Sequence, residues 1–321
     1  MYDGLLVVSF GGPEGPDDVL PFLENVTRGR SVPPERLQAV ARNYERYGGV
    51  SPLNAETRLL VDAVERELAG RLPVYWGNRN WHPLLADTVR QMRADGVTRA
   101  LAFVTSAFGS YSSCRQYIED IERARLDVGD GAPVVDKLRL FYNHPMFIEA
   151  VADRASSALS SVPDARLLFT AHSIPSSMAA VAPYESQLLE AAALVAARLP
   201  GSPSWELVYQ SRSGPPSQPW LGPDIVARIG ELPAEGVQAV VVSPLGFVSD
   251  HMEVVYDLDV VARAAAEGVG LTFVRAATPG LALAPMVCEL VAERMEGRLD
   301  RAALGDPWPD TCPAGHCGPS I

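Results

Sequence analysis

The sequence predicts an α/β protein built from two Rossmann-like halves, each a doubly wound parallel sheet, with a cleft between them. Short apolar, β-branched runs alternate with longer helical patterns along the 321 residues, which is typical of βαβ units and a parallel sheet. Apolar residues make up 47% of the chain, enough to fill a large core. Polar motifs follow the predicted strands, which indicates a ligand site outside their carboxyl ends.

The elements of the first half are predicted from apolar runs and helical spacing. Strands are expected at residues 5–10 (LLVVSF), 73–76 (PVYW) and 100–105 (ALAFVT). Helices are expected at residues 34–47, 54–72 and 114–126. The first of these helices is expected to begin at Pro34, because proline favours the first position of a helix.

The second half follows the same pattern. Strands are expected at residues 166–170, 206–209, 239–243 and 271–275, and helices at 184–199, 251–266 and 282–298. The predicted organisation is a first half at 1–142, joined by a C-terminal helix at 280–300, and a second half at 143–279. Residues 300–321 are rich in Pro, Gly and Asp and are expected to form an irregular tail that contains two cysteines.

Composition excludes several classes of protein. A net charge of −12 argues against nucleic-acid binding, which needs a basic face. No apolar run reaches the length of a membrane span, and Asp3 follows Met1 too closely for a signal peptide. Four cysteines are too few for a disulfide scaffold. A soluble, cytoplasmic monomer is therefore expected.

Six polar motifs come directly after predicted strands and define the expected cleft. The segment GGPEG (11–15) after the first strand lacks the G-x-G-x-x-G spacing, and Pro13 removes a backbone donor, so a tight turn is expected there rather than a nucleotide loop. The motifs are SFGGP (9–13), GNRNW (77–81), TSAFGSYSS (105–113), TAHSIP (170–175), YQSRSGP (209–215) and SPLGFVSDH (243–251).

Two motifs carry side chains suited to acid–base and metal chemistry. A single histidine is commonly structural, but His172 ends a strand at the cleft, which gives the functional interpretation equal weight. Glu253 and Asp250 would form an N-terminal capping pair in the structural alternative. Against that, Glu253 and Asp257 stand at i and i+4 on one helix face, where like charges repel. Such a carboxylate pair would attract a divalent cation and transfer protons.

A second group combines arginines with hydroxyl side chains. These residues are expected either to bind the carboxylates of a ligand or to be solvated surface, since Arg binds carboxylates bidentately. They are Arg28, Arg30, Tyr44, Arg46 and Ser51.

Taken together, the motifs resemble the ferrochelatase family, and they cover nearly the whole chain. The combination of AHSIP with GFVSDHMEVVYDLD is highly specific, and the Arg-rich composition, with Lys137 as the single lysine, is similar to actinobacterial members. The matching segments are LLVVSFGGPEGPDDVLPFLENVTRGR (5–30), YGGVSPLN (47–54), TSAFGSYSSCRQY (105–117), FTAHSIP (169–175), YQSRSGPPSQPWLGPD (209–224) and SPLGFVSDHMEVVYDLD (243–259).

The resemblance implies a chelatase-like fold that inserts Fe²⁺, as a substrate, into a porphyrin held in the cleft. For this bacterial group it implies coproporphyrin III, giving Fe-coproporphyrin in haem biosynthesis, with neighbouring haem-pathway enzymes as candidate partners. His172 and Glu253 match the iron-binding and proton-accepting pair, and Asp257 joins them as a candidate metal ligand. Ser51 and Tyr117 match positions that hold the porphyrin carboxylates. Flat apolar faces of a porphyrin need aromatic walls, for which Phe10 and Trp220 are the candidates.

Two departures from the family affect these expectations. Phe10 stands where some bacterial relatives have a tyrosine near the metal, so an axial tyrosine ligand is not expected. Relatives with a [2Fe–2S] cluster carry three tail cysteines and one earlier cysteine, whereas this tail has two, Cys312 and Cys317. Either Cys114 and Cys288 complete an altered ligand set or no cluster forms. A position of Cys114 at the porphyrin side, far from the tail, would argue against the cluster.

Three other functions remain open at this level. A protoporphyrin IX ferrochelatase would differ only in its substrate, and a cobalt chelatase would keep the fold. A non-catalytic tetrapyrrole carrier would need no carboxylate pair at positions 253 and 257.

Overall fold

A computed structural model describes residues 1–29, 32–162, 164–215, 217–312 and 317. The described residues form two four-stranded sheets in which every strand pairing is parallel. The strand orders are β2-β1-β3-β4 and β6-β5-β7-β8. In each sheet the chain therefore builds outward in both directions from the first strand, which is a doubly wound arrangement. The predicted fold class is confirmed.

The strands were largely predictable because parallel strands are buried on both faces and their sequences are continuously apolar. Seven of the eight described strands were predicted. The missed strand is β4, the edge strand of the first sheet, whose residues VVDK are half-buried or exposed. The strands are β1 Gly4–Ser9, β2 Val74–Asn78, β3 Arg99–Val104, β4 Val134–Lys137, β5 Arg166–His172, β6 Trp205–Gln210, β7 Ala239–Ser243 and β8 Thr272–Arg275.

Helices cover both faces of each sheet. Five of them were not predicted: α1, α4, α6, α7 and α9. The longest of these, α6, begins with Pro145, a start signal that the sequence analysis missed, whereas α4 follows Leu84 and has no common start signal. The helices are α1 Val19–Val26, α2 Pro34–Glu45, α3 Leu53–Leu68, α4 Leu85–Ala94, α5 Gln116–Val128, α6 Pro145–Ser160, α7 Ser176–Ala179, α8 Tyr184–Ala196, α9 Ile225–Glu231, α10 Met252–Tyr256, α11 Arg263–Gly268 and α12 Ala284–Glu296.

The helix predicted at residues 251–266 is interrupted. Helix α10 continues into a π-helical segment, Asp257–Ala262, and then into α11. A π-helix is wider than an α-helix, so the expected i, i+4 stacking of Glu253 and Asp257 is altered at this point. Another π-helical segment, Tyr111–Arg115, leads into α5. π-Helical segments are rare in proteins overall, and many of those that occur lie at functional sites.

One shared core joins the two sheets. Leu5 and Phe103 of the first sheet and Leu167 and Phe169 of the second belong to the same buried cluster. Helix α12 packs on α3 of the first sheet and also on α6. It ends at Gly297, whose φ of 64° is left-handed and suits glycine. The C-terminal segment is anchored by Arg139, which pairs bidentately with Glu293 on α12 and donates to the backbone oxygen of Ala302.

Candidate active site

His172 and Glu253 face each other across the end of the second sheet. His172 is the last residue of β5 and Glu253 lies in the first turn of α10. The distance from His172 Nε2 to Glu253 Oε1 is 3.5 Å, and the two side chains are 30% and 52% exposed. The pair is therefore accessible to a ligand from solvent, which a satisfied structural histidine would not need.

The electrostatics of the pair favour opposite charges. Burial alone would lower the pKa of His172, but the Glu253 carboxylate and its hydrogen bond outweigh this, so the pKa of His172 is raised. Burial would raise the pKa of Glu253, but the His172 and His251 charges lower it to about 2. Near neutral pH the Glu253 carboxylate is ionised, and its charge favours the protonated form of the His172 imidazole.

Asp257 adds a carboxyl group that titrates near neutral pH. Burial and the Glu253 charge raise the pKa of Asp257 to about 6, although a hydrogen bond donated by Ser211 Oγ acts in the opposite direction. Ser211 has a left-handed φ of 61°, which is uncommon outside glycine. The charge of Glu253 acts on Asp257, which is the first residue of the π-helical segment.

The capping alternative for Glu253 is wrong. The side chain that caps α10 is His251, whose Nδ1 accepts a hydrogen bond from the Glu253 amide at 3.2 Å. Asp250 instead pairs with Arg275 at 2.9 and 3.0 Å, and its amide donates to Glu56. The Glu253 carboxylate has no capping role and points to His172.

The topology explains why these residues meet. In the second sheet β5 and β7 are the adjacent strands at which the winding direction reverses, and ligands bind at such switch points. His172 ends β5, and the segment after β7 leads to Glu253. This segment approaches β5 closely at Gly246, whose amide donates to Thr170 O at 2.9 Å. A Cβ at Gly246 would lie 2.7 Å from the Cβ of Ala171, so a larger residue would displace the segment.

The first sheet contributes an aromatic and cationic wall. Phe10 follows β1 and is 36% exposed. The Arg79 guanidinium carbon lies 5.8 Å from the Phe10 ring centre and 4.4 Å from that of Tyr117, both within cation–π range. Asp120 holds the guanidinium through a hydrogen bond from Nε at 2.5 Å.

Three residues expected to hold porphyrin carboxylates are buried. Tyr44 lies in an apolar cluster with Phe22 and Met252, and burial and the Glu253 charge raise its pKa. The hydroxyl of Ser51 accepts a hydrogen bond from the Leu53 amide at 3.4 Å. Tyr117 is buried beneath Arg79. None of the three hydroxyls belongs to the solvated surface, because neighbouring residues cover them.

The remaining candidates are distributed around the cleft. Arg28 and Arg46 are exposed, and Arg28 donates to Asn25 Oδ1 at 2.5 Å. Arg30 lies outside the described residues. Trp220 is half-buried, pairs with Pro175 and covers Gly214, where a Cβ would lie 2.4 Å from its Nε1. It therefore lies beside the segment that follows His172.

The set of four cysteine ligands, one of the two alternatives left open by the sequence, does not form among the described residues. The Cys114 thiol is hydrogen-bonded to Cys312, and this bond and burial raise its pKa, so Cys114 lies beside the tail and its position does not argue against a cluster. Burial and the charge of Cys312 raise the pKa of the Cys317 thiol to about 11. Cys288 lies apart on α12, with its thiol 4.0 Å from Val64 O on α3. Among the described residues no group of three or more His, Cys, Asp or Glu side chains is arranged to hold a metal.

Three residues at the site were not identified from the sequence. Gln210 donates through Nε2 to the backbone oxygen of Glu253 at 2.7 Å, and Ser211 bonds to Asp257. Arg79 stacks on the first-half wall. Each stands in a polar motif directly after a predicted strand, and that position was the available signal.

Comparison with known proteins identifies the family. The sequence model of the ferrochelatase family matches residues 2–296. The chain belongs to the ferrochelatase family. As a member, it is an enzyme that inserts a metal ion into a porphyrin.

Full-length relatives support this membership. This chain is 51% identical in sequence to the ferrochelatase of Rhodopirellula baltica, over 98% of this chain and 93% of the relative. It is also 51% identical to the coproporphyrin III ferrochelatase of Nocardia farcinica, over 99% of this chain and 97% of the relative.

A solved structure shares the fold. CbiX, the terminal enzyme of sirohaem biosynthesis in denitrifying bacteria, matches with a TM-score of 0.51 over 92% of this ferrochelatase and all of CbiX. At 15% identity this likeness concerns the fold alone. Within the described ranges, every helix of the ferrochelatase is too short or too polar to cross a lipid bilayer.

Proposed function

We propose that this ferrochelatase inserts Fe²⁺ into coproporphyrin III and releases Fe-coproporphyrin for haem biosynthesis. The observation that carries the proposal is the accessible His172–Glu253 pair, with 3.5 Å between Nε2 and Oε1. Relatives named coproporphyrin III ferrochelatases, including one from Frankia alni that is 53% identical over 98% of this chain, support the choice of porphyrin.

The reaction requires the site to bind a divalent ion and to remove two protons from the pyrrole nitrogens. A neutral imidazole is a good ligand for Fe²⁺, so the metal competes with the proton that Glu253 stabilises on His172. The ionised Glu253 carboxylate then attracts the metal and accepts a proton. Asp257, whose pKa is about 6, accepts protons near neutral pH.

Substrate binding is assigned to the walls of the cleft. Phe10 and Trp220 are proposed to contact the apolar faces of the macrocycle, and Arg79 supports Phe10. The exposed guanidinium groups of Arg28 and Arg46 suit the propionate carboxylates. The buried hydroxyl groups of Ser51, Tyr44 and Tyr117 are proposed to bind the propionate carboxylates as well. This requires the residues that cover them to move slightly when the porphyrin binds.

An anaerobic assay tests the proposal. Purified protein is incubated with Fe²⁺ and either coproporphyrin III or protoporphyrin IX, and metalloporphyrin is followed by absorbance. Multiple turnovers with a preference for coproporphyrin III are expected. Preference for protoporphyrin IX, or turnover with Co²⁺ and a corrin precursor alone, would overturn the substrate assignment. A stoichiometric spectral shift without turnover would indicate a carrier.

A [2Fe–2S] cluster on Cys114, Cys288, Cys312 and Cys317 does not fit the described residues, because Cys288 contacts α3 while the Cys114 thiol bonds to Cys312. A [2Fe–2S] cluster needs four ligands, and cysteine thiolates are the usual ones. We therefore assign no step to such a cluster. Anaerobic purification with iron and acid-labile sulfide analysis tests this: both elements at stoichiometric levels would overturn it.

Location, assembly and organisation are proposed as follows. The enzyme works in the cytoplasm as a monomer and passes its product to neighbouring haem-pathway enzymes, and its free thiols suit a reducing compartment. Residues 1–142 with the helix at 280–300 form one unit and residues 143–279 the other. The packing of α12 on α3 supports this division.

A further inference from the structure

Gln210 connects the strand beside His172 to the backbone of Glu253. It is the last residue of β6 and the direct register partner of His172 on β5. Its side chain is buried, with the whole residue 1% exposed, and Nε2 donates to the main-chain oxygen of Glu253 at 2.7 Å. The end of β6 therefore lies beside His172 and also binds the backbone of Glu253.

The pair needs such a connection because its members belong to different elements. His172 is fixed by β5, and its own backbone oxygen accepts a hydrogen bond from Tyr184 at 3.0 Å. Glu253 lies on α10, a helix of five residues that continues into a π-helical segment. A short helix next to a non-α turn has few internal hydrogen bonds to fix its position.

Other contacts hold the start of α10 from the opposite side. Arg275 pairs with Asp250 just before the helix and with Asp259 within the π-helical segment. These contacts fix α10 against β8, whereas the Gln210 amide fixes it against β6 and β5. Among these contacts, the one from Gln210 joins α10 to the strand next to His172.

Among the described residues, the backbone oxygen of Glu253 is the single hydrogen-bond partner of the Gln210 side chain. Its Oε1 is buried and has no hydrogen-bond partner among the described residues. A buried acceptor without a partner costs free energy. A methionine of similar length would avoid this cost but would not bind the backbone of Glu253.

We propose that Gln210 is a positioning residue that acts through Glu253. It holds the carboxylate at contact distance from His172, and it touches neither the metal nor the porphyrin. This inference rests on the proposed function, because it gives Gln210 a part in the metal-insertion step. Loss of the contact lowers kcat while the KM for porphyrin is retained, since the substrate walls are unchanged.

A double-mutant cycle tests whether Gln210 acts through Glu253. The four proteins are wild type, Gln210→Met, Glu253→Gln and the double variant, each assayed for kcat and KM. We expect Gln210→Met to lower kcat at least about tenfold in the wild type and less than about twofold in the Glu253→Gln background. The same loss in both backgrounds, or no loss in the wild type, would overturn the inference. Wild-type turnover, measured first, tests the proposed function separately.

Gln187→Met is the matched control. Gln187 is also buried, at 2% exposed, and it also makes one hydrogen bond, from the Gly109 amide at 2.7 Å, while its other amide atom has no partner among the described residues. Its substitution should leave kcat within about twofold of wild type. An equal loss of kcat in both variants would show a general effect of a buried substitution.

A measurement without turnover completes the test. With ¹³C-labelled histidine, the ring resonances of His172 are observed at one fixed pH and assigned by their absence in His172→Ala. Gln210→Met should shift these resonances because the neighbouring carboxylate moves, whereas Gln187→Met should not. Unshifted His172 resonances in Gln210→Met would overturn the inference whether or not the enzyme is active.

Discussion

His172 Nε2 lies 3.5 Å from Glu253 Oε1, yet the two side chains remain 30% and 52% exposed. Exposed ion pairs contribute about 0–1 kcal/mol to stability, because water screens the charges. The fold therefore gains little from this pair. Because the pair contributes little to stability, its side chains are available for chemistry. The effect of removing either side chain on activity can therefore be measured without unfolding the protein.

His172→Ala should nearly abolish metal insertion and leave the fold intact. Removing a positioned acid–base group usually lowers turnover by about 10²–10⁴, and here a metal ligand is lost as well. Steady-state rates, circular dichroism and the melting temperature are compared with wild type. Activity within about tenfold of wild type in a folded variant would contradict the assignment of His172.

Glu253→Gln should lower kcat more than it weakens porphyrin binding. Glutamine keeps the size of the side chain but removes the charge that attracts the metal and stabilises the proton on His172. The melting temperature should not change, because His251 rather than Glu253 caps the helix. Kinetics and thermal unfolding measure both effects.

Glu122→Gln is a suitable control for this variant. Glu122 is 49% exposed and pairs with Arg125 on α5, away from the cleft. It should retain full activity. A lower melting temperature with normal turnover in Glu253→Gln would instead support a structural role.

The sequence predicted the site residues where chemistry depends on position at a strand end. His172 and Glu253 were identified in this way, since fully buried parallel strands are easily recognised and their ends define the cleft. Gln210 and Ser211 were not, because their contacts depend on strand register and on a left-handed φ that no residue type at position 211 announces.

Burial was the less predictable property. Tyr44 has a polar group and neighbours Arg46 in the sequence, but α1 and α10 cover it, and this packing depends on elements distant along the chain. The sequence left open whether Cys114 lies near the tail, and it does, since α12 packs back on the first sheet. Contacts between segments that are distant along the chain leave no local pattern in the sequence.

The Arg139–Glu293 ion pair should be important for stability. Its side chains are 1% and 5% exposed, and the bidentate distances are 2.9 and 3.0 Å. Glu293→Gln leaves a buried guanidinium without its counter-charge, which typically costs about 3–5 kcal/mol. Urea unfolding followed by circular dichroism measures the loss.

The double variant Arg139→Met/Glu293→Leu should lose less than Glu293→Gln alone, because no buried charge remains. Some loss should persist, since Ala302 gives and receives hydrogen bonds with this pair. A double variant as unstable as the sum of its single variants would contradict the role of charge pairing.

His144 should make stability fall on mild acidification. It is fully buried, and burial and the Arg139 charge lower its pKa from 6.5 to about 4, despite Glu289 Oε2 at 3.4 Å from Nε2. Its Nδ1 accepts the Met146 amide and caps α6, which requires that nitrogen to be unprotonated. The unfolded chain takes up the proton near pH 6.5, whereas the folded chain does so only near pH 4. The stabilising contribution is therefore complete above pH 6.5 and decreases as the pH falls towards 4.

Between pH 7 and pH 5 this amounts to about 2 kcal/mol of unfolding free energy. His144→Asn is the informative variant, because asparagine is a good N-cap but does not titrate. Urea unfolding at pH 7 and pH 5 should show a loss for wild type that is about 2 kcal/mol larger than for His144→Asn. Equal losses in the two proteins would mean that His144 takes up its proton in the folded state as easily as in the unfolded chain, and its burial would then not be the cause of the acid sensitivity.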